Sequence, residues 1–229
     1  MNNILINGLD KLLPSLSNEQ REIIAQKMEL YIKEIILFNS AYNLTNTSDH
    51  DELVIRHILD SLAGFNIIKN RADQIENVSI GDIGSGGGLP GIPLASAFLY
   101  SSGSEQDSNN NVHFKLVERM EKRCSFLENC CSMLGLTNTE ICNLQAEQVE
   151  PESFDIITFR AFRPLDEKMT KTLLRMVKKG GVLCAYKARL ENIHQEMDGI
   201  KKLVTDYEVL PLSVPGLEDS ERNMVVIKK

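Results

Sequence analysis

A chain of 229 residues with 42% hydrophobic and 25% charged residues, 14 Gly and 7 Pro has room for one sizeable α/β domain with a small attachment, and this composition excludes disorder, collagen and low complexity for the bulk of its length. A formal charge of −7 argues against a protein that coats nucleic acid in bulk, but leaves room for a local basic patch on an acidic body. No apolar run approaches the roughly 18 residues of a membrane span, and Met1-Asn2-Asn3-Ile4 lacks the basic and apolar regions of a signal peptide, so a cytoplasmic protein with no membrane partner is expected. The five Cys are odd in number, include the adjacent Cys130 and Cys131, and form no Cys-x-x-Cys pair. They read as small core hydrophobes in a reducing compartment, and no metal site is expected.

The first 65 residues read as helices. Ser17-Asn18-Glu19-Gln20 has the spacing of a capping box. Behind it Ile24, Met28, Tyr31, Ile35 and Phe38 recur at helical spacing. Ala41 to Asn46 breaks that pattern, and a second helix is expected from near Asp49 to Phe65, with Val54, Ile58 and Leu62 on one stripe. At Val78 the pattern changes to alternating strands and helices. Strands are expected at 78–83, 112–117, 140–144, 154–159, 181–186, 207–212 and 223–227. Helices are expected at Arg119 to Leu134, closed by Gly135, and at Pro164 to Lys178, with a Gly180-Gly181 turn before the next strand. This alternation predicts a mainly parallel seven-stranded sheet with helices on both faces. Ser101 to Asn111 is a polar low-complexity run and reads as a solvated loop insertion.

Asp82-Ile83-Gly84-Ser85-Gly86-Gly87-Gly88-Leu89-Pro90-Gly91 leaves the first strand and opens a helix. Glycines there allow a sharp turn and close approach of a ligand to the backbone, beside the free N–H groups of a helix start. Gly86, Gly88 and Gly91 satisfy the dinucleotide fingerprint, while Asp82, Gly84, Gly86 and Gly88 satisfy the acidic-x-G-x-G-x-G pattern of S-adenosylmethionine (AdoMet) binding. Glu118, at the end of the second strand, suits a ribose in either class. Ala146-Glu147 follows the third strand, where an AdoMet enzyme meets adenine. Arg160 ends the fourth, facing the transferred methyl. His50, His57, His113 and His194 are not placed like a hydride-transfer acid. A methyltransferase is favoured, with a nicotinamide-dependent oxidoreductase as runner-up and a non-enzymatic nucleotide-sensing or assembly module on a methyltransferase fold as a third reading.

At this point the chain resembles the RsmG (GidB) family of bacterial 16S rRNA guanine-N(7) methyltransferases. The resemblance rests on Tyr42-Asn43-Leu44-Thr45, Arg56-His57-Ile58-Leu59-Asp60-Ser61, Asp82 to Pro93, Lys122-Arg123-Cys124-Ser125-Phe126-Leu127, Arg160-Ala161-Phe162 and Val225-Val226-Ile227-Lys228. It implies a class I AdoMet-dependent methyltransferase fold over residues 71–229, Rossmann-like, with a helical extension over residues 1–70 packed on the core. It implies AdoMet contacts at Gly84, Leu89, Ala146, Glu147 and Arg160, with Glu118 in the place of the family's acidic residue. Asp82 and Gly86 belong to the same set through the loop pattern. The implied target is guanine 527 of the small-subunit decoding region, and the implied partner is 16S rRNA or the small subunit, met by a monomer.

Guanine N(7) carries a lone pair and no proton, so its attack on a sulfonium methyl needs alignment and exclusion of water rather than a general base. That suits a chain without an evident catalytic dyad. Arg160-Ala161-Phe162-Arg163 is not the Asn or Asp-Pro-Pro-aromatic sequence of exocyclic-amine enzymes, and Cys184 lies inside a strand rather than on a loop facing a base. Arg160 is therefore the candidate to orient the cofactor or to hold the guanine edge. Arg56, His57, Lys122, Arg123, Arg163 and Lys187 are candidates for RNA contact. Lys122, Arg123, Arg163, Lys187 and Arg189 follow different sheet elements, so their clustering into one basic patch is an expectation that the fold must decide, while Arg56 and His57 are expected to shape the pocket or the RNA surface.

Overall fold

The structure is a computed structural model that describes residues 3–101, 111–161 and 164–229. The expected insertion at Ser101 to Asn111 therefore lies, apart from its two end residues, outside the described residues, and so does Arg163.

The chain begins with α1 (Asn3–Leu12) and α2 (Asn18–Tyr42). Ser17 caps α2 as its spacing predicts: Ser17 Oγ accepts the Gln20 N–H at 3.2 Å, and Gln20 Oε1 accepts the Ser17 N–H at 2.7 Å. Ile24, Met28, Tyr31 and Ile35 form its buried stripe, with Phe38 stacked on Tyr42 where the helix ends. Asn43 stops it in the left-handed region, at φ 47°.

The next segment departs from the expected single α-helix. α3 (His50–Leu53), capped by Asp49, widens into a π-helical stretch, Val54–Leu59, and tightens again into α4 (Asp60–Leu62). In the wide turn the Asp60 N–H donates to Ile55 O, five residues back, so that Arg56 O is left for a partner elsewhere in the fold. A separate helix, α5 (Phe65–Ala72), follows Gly64. Tyr186 crowds Gly64 and donates its hydroxyl hydrogen to Ser61 O at 2.6 Å, so a side chain at 64 would overlap the Tyr186 ring. These tertiary contacts override the helical periodicity of the segment.

The sheet has seven strands: β1 (Ser79–Ile83), β2 (His113–Glu118), β3 (Thr139–Asn143), β4 (Phe154–Arg160), β5 (Val177–Lys187), β6 (Tyr207–Pro211) and β7 (Asn223–Lys228). Their order is β3-β2-β1-β4-β5-β7-β6, with β7 alone antiparallel to its neighbours. The connecting helices are α6 (Gly91–Ser101), α7 (Glu121–Leu134), α8 (Glu167–Met176) and α9 (Leu190–Ile200). Two expectations shift here. α8 starts at its Asp166 cap rather than at Pro164, because Asp166 Oδ1 accepts the Met169 N–H at 2.7 Å. Gly180 and Gly181 lie within β5, at a bulge where the pairing steps from Phe154↔Val177 to Ile156↔Val182. A Cβ at Gly181 would stand 2.5 Å from Asp155 O, so only glycine lets the strands approach.

Strand residues alternate between two apolar layers. Ile156, Val182 and Val226 join α2, α4, α5, α6 and α7 on one face, while Ile157, Leu183 and Ile227 join α8 and α9 on the other. The N-terminal helices thus share one core with half of the sheet. The five thiols are free; Cys124, Cys130, Cys131 and Cys184 are buried, and burial pushes Cys184 up to about 12. Among the described residues no helix is long and apolar enough to cross a membrane. Strand order reverses beside β1: the chain runs out through β2 and β3 and returns to β4. Such a switch point opens a crevice at the carboxyl ends of the strands.

Candidate functional site

The loop at that crevice is held from below. Gly84, Gly86 and Gly88 have φ of 70°, 60° and 92°, which suits glycine. The N–H groups of Gly84 and Ser85 both donate to Val117 O, tying the loop to β2. Asp82, expected among the cofactor contacts, lines neither of the clefts described below. Its buried Oδ2 accepts from Ser85 Oγ at 2.7 Å and from the Gly91 N–H at 3.0 Å. Burial pushes Asp82 up to about 6, against the pull of those two hydrogen bonds. The side chain therefore fastens the loop to the start of α6. Gly91 is required there, since a Cβ would stand 2.6 Å from Asp82 Oδ2.

A small cleft of about 330 Å³ opens between the loop and the ends of β2 and β3. Glu118 forms one wall. Its Oε2 accepts the Gly86 N–H at 3.0 Å and its Oε1 the Met120 N–H at 2.8 Å, which fixes the carboxylate and leaves lone pairs for further donors. Ala146 and Glu147, in a 3₁₀ turn (Ala146–Gln148), form the opposite wall. Arg175 of α8 braces that turn, donating from Nη2 to the carbonyls of Glu147 and Val149 at 3.2 and 2.6 Å. Nothing in the local sequence of α8 marks Arg175 for this task.

A larger cleft of about 850 Å³ adjoins the first, and Gly84, Arg123 and Ala161 line both. Leu89 lies in its wall. Arg160 enters from the end of β4. Its Nη1 donates to Asp60 Oδ2 at 2.7 Å and to the carbonyls of Arg56 and His57 at 3.2 and 3.3 Å, while Nη2 is 3.1 Å from His57 Nδ1. Arg222 Nε approaches Asp60 Oδ1 at 3.2 Å, so one buried carboxylate serves two guanidiniums. Burial, with Arg160 and Arg56 nearby, pushes His57 down to about 4. Lys187 pairs with Glu196 at 2.5 Å and lies over the Phe159 ring.

The fold thus brings together Arg56, His57, Arg123, Arg160 and Lys187, and adds Arg222, around a cleft whose lining includes the Asp60 carboxylate. It separates the neighbours Lys122 and Arg123. Lys122 is exposed and lines neither cleft. Arg123 donates from Nη2 to Asn43 O at 2.8 Å and from Nε to Tyr42 O at 3.5 Å, and so holds the lip 44–46 over the large cleft. Tyr31 donates to Gly87 O from beneath the same lip. Sequence reasoning missed Asp60 and Arg222 as a pair; Asp60 stood inside the Arg56 to Ser61 string without a partner to explain it.

These features fit AdoMet. A rigid carboxylate with spare lone pairs suits the ribose hydroxyls, the Ala146–Glu147 turn bounds a small cleft beside it, and the glycines leave backbone within reach where the two clefts meet.

Comparison with known proteins agrees. Residues 24–225 match the family model described as GidB, rRNA small subunit methyltransferase G. A Treponema denticola protein named ribosomal RNA small subunit methyltransferase G is 36% identical, over 100% of this chain and 94% of its own. Its Treponema pallidum namesake is 39% identical over 87% of this chain and 83% of its own. In fold, the chain resembles a putative AdoMet-dependent methyltransferase from Methanococcus maripaludis, with a TM-score of 0.58 at 14% identity, over 86% of this chain and 91% of that one. An Aquifex aeolicus AdoMet-dependent methyltransferase gives 0.51 at 14% identity, over 79% and 94%. With the class I methyltransferase sheet, the AdoMet-fitting clefts and a family match over most of its length, the chain belongs to the GidB family of rRNA small subunit methyltransferase G proteins.

Proposed function

We propose that the protein transfers a methyl group from AdoMet to N(7) of a guanine in 16S rRNA, guanine 527 by the family resemblance, with the rRNA or the small subunit as its partner. One observation carries the N(7) reading: every candidate base described in the large cleft is already engaged. Both oxygens of Asp60 face guanidiniums, and His57 Nδ1 faces Arg160. The Tyr186 hydroxyl is held by Ser61 O, and burial raises its pKa well above the usual range. A nucleophile that carries no proton needs none of them.

The cofactor supplies an electrophilic methyl on sulfonium. The chain supplies position. Gly84, Gly86, Leu89, Glu118, Ala146 and Glu147 hold the cofactor across the two clefts, with Asp82 keeping the loop in shape beneath. Arg160, fixed by four partners, orients the methyl-transfer end. Arg56, Lys187 and Arg222 give the cleft the positive lining that an acidic body needs to meet phosphate. Residues 1–70 act as an extension of the methyltransferase unit, since they supply one wall of its cleft.

The test incubates the purified protein with methyl-labelled AdoMet and small subunits from a strain deleted for its gene. 7-Methylguanosine at one 16S position is the expected product. A methyl on another atom overturns the N(7) reading. No transfer, in the presence of AdoMet binding, favours the assembly-module reading instead.

A further inference from the structure

Arg123 carries a charge that no carboxylate answers among the described residues. Around the large cleft Arg160 and Arg222 share Asp60, Lys187 pairs with Glu196, and Arg56 comes within 4.0 Å of Glu52. Arg123 instead reaches the neutral carbonyls of Tyr42 and Asn43, from Nε and Nη2. Those two bonds fix the plane of the guanidinium and leave Nη1 without a partner among the described residues. Nη1 borders open space. A Cβ at Gly86 would meet nothing nearer than Gly84 O at 3.8 Å and Arg123 Nη1 at 4.0 Å, so there is room over this glycine, and Nη1 forms its far side. Gly84 and Arg123 each line both clefts, which places that room where the clefts join.

Resting on the proposed placement of AdoMet across the two clefts, we infer that Arg123 Nη1 pairs with the carboxylate at the amino-acid end of the cofactor. In that placement the ribose lies at Glu118, and Glu118 Oε2 accepts the N–H of Gly86 itself. From the ribose the cofactor runs through its sulfonium to the amino-acid end, which leaves the small cleft by the junction that Arg123 borders. That end carries an ammonium and a carboxylate, and the carboxylate is the group a guanidinium recognises. A phosphate of folded rRNA suits a guanidinium as well, but it arrives through the mouth of the large cleft, whereas Nη1 stands over the glycine loop.

The test measures, by calorimetry, the binding of AdoMet and of decarboxylated AdoMet, which keeps the adenosine, sulfonium and ammonium and lacks only the carboxylate. Wild type should bind AdoMet about tenfold or more tighter. Arg123→Met should bring the two affinities within about twofold of each other, because release of the lip weakens both ligands alike. Arg123→Lys, which keeps a cation, should retain part of the preference. A preference left intact in Arg123→Met overturns the inference and makes Arg123 a tie for the lip alone. If the salt slope of RNA binding also falls there by roughly one phosphate contact, Nη1 belongs to RNA instead. Equal wild-type affinity for the two ligands overturns the inference without any variant having to fold. Glu118→Ala tests the placement beneath it: both ligands carry the ribose, so both should weaken alike. Unchanged affinity in Glu118→Ala marks failure of the placement; weakened binding there, with the preference kept in Arg123→Met, marks failure of this inference only.

Discussion

Arg160 Nη1 and Asp60 Oδ2 lie 2.7 Å apart across one hundred residues of chain, with both side chains about nine-tenths buried. The pair joins the end of β4 to the turn where the π-helical stretch tightens into α4. Through it the N-terminal helices and the carboxyl end of β4 become one wall of the large cleft. Arg222, from the last strand's approach, closes the group on the other oxygen of Asp60.

Asp60→Ala leaves two guanidiniums without their carboxylate. Removing one partner of a buried ion pair costs about 3–5 kcal/mol, and Arg222, the more exposed partner, should keep the loss near the lower end. A urea midpoint lowered by that amount, together with loss of turnover, is expected. A loss under about 1 kcal/mol would show that water already screens the pair.

Arg160→Lys keeps the charge and loses the fork. A single ammonium cannot serve Asp60, two carbonyls and His57 Nδ1 at once. Turnover should fall by about a hundredfold from misplacement alone, with the salt dependence of RNA binding unchanged. An altered salt slope with normal turnover would make Arg160 a phosphate contact.

Lys122 and Arg123 adjoin in sequence and should behave differently. Lys122→Ala should reduce the salt slope by roughly one phosphate contact and leave AdoMet affinity intact. Arg123→Ala releases the carbonyls of Tyr42 and Asn43, and with them the lip over the glycine loop. It should weaken AdoMet binding, by calorimetry, more than it changes the salt slope. Equal effects of the two substitutions on both measurements would contradict this division.

Two groups give opposite pH dependence of stability. His57 falls from 6.5 to about 4 on folding, so the unfolded chain binds more protons between those values and stability is lost as pH falls through them. Asp82 rises from 3.8 to about 6, so the folded chain binds more protons and stability is lost as pH rises through that window. The slopes offset each other in the wild type. Comparing urea midpoints at about pH 4.5 and pH 6.5, His57→Phe should become less stable at the higher pH and Asp82→Asn more stable there. Unchanged pH profiles in both variants would remove either group from the balance.

Much of the architecture was legible in the residues. The capping box of α2, the seven strands with their helices, the glycine loop and Glu118 at the end of β2 all follow from local pattern, because hydrophobic period, capping chemistry and glycine backbone freedom act over a few residues. Where expectation and structure part, a distant group had intervened. The Asp49 to Phe65 helix was expected to be regular, but it widens at Val54–Leu59, where Arg160 takes the freed Arg56 carbonyl, and breaks at Gly64, where Tyr186 packs.

The sequence by itself determined the class of fold, the glycine loop after β1 and, through several separated motifs, the family. Only the tertiary structure decided which charged residues act together. It gathered Arg56, His57, Arg160, Lys187 and Arg222 from four separate stretches of chain and placed the adjacent Lys122 and Arg123 in different positions. It also turned Asp82 beneath the loop it had been expected to share with the ligand. The reason is physical: strand and helix periods specify which face a residue takes, but the partner of a buried charge is whichever group chain reversal at the switch point brings within about 3 Å.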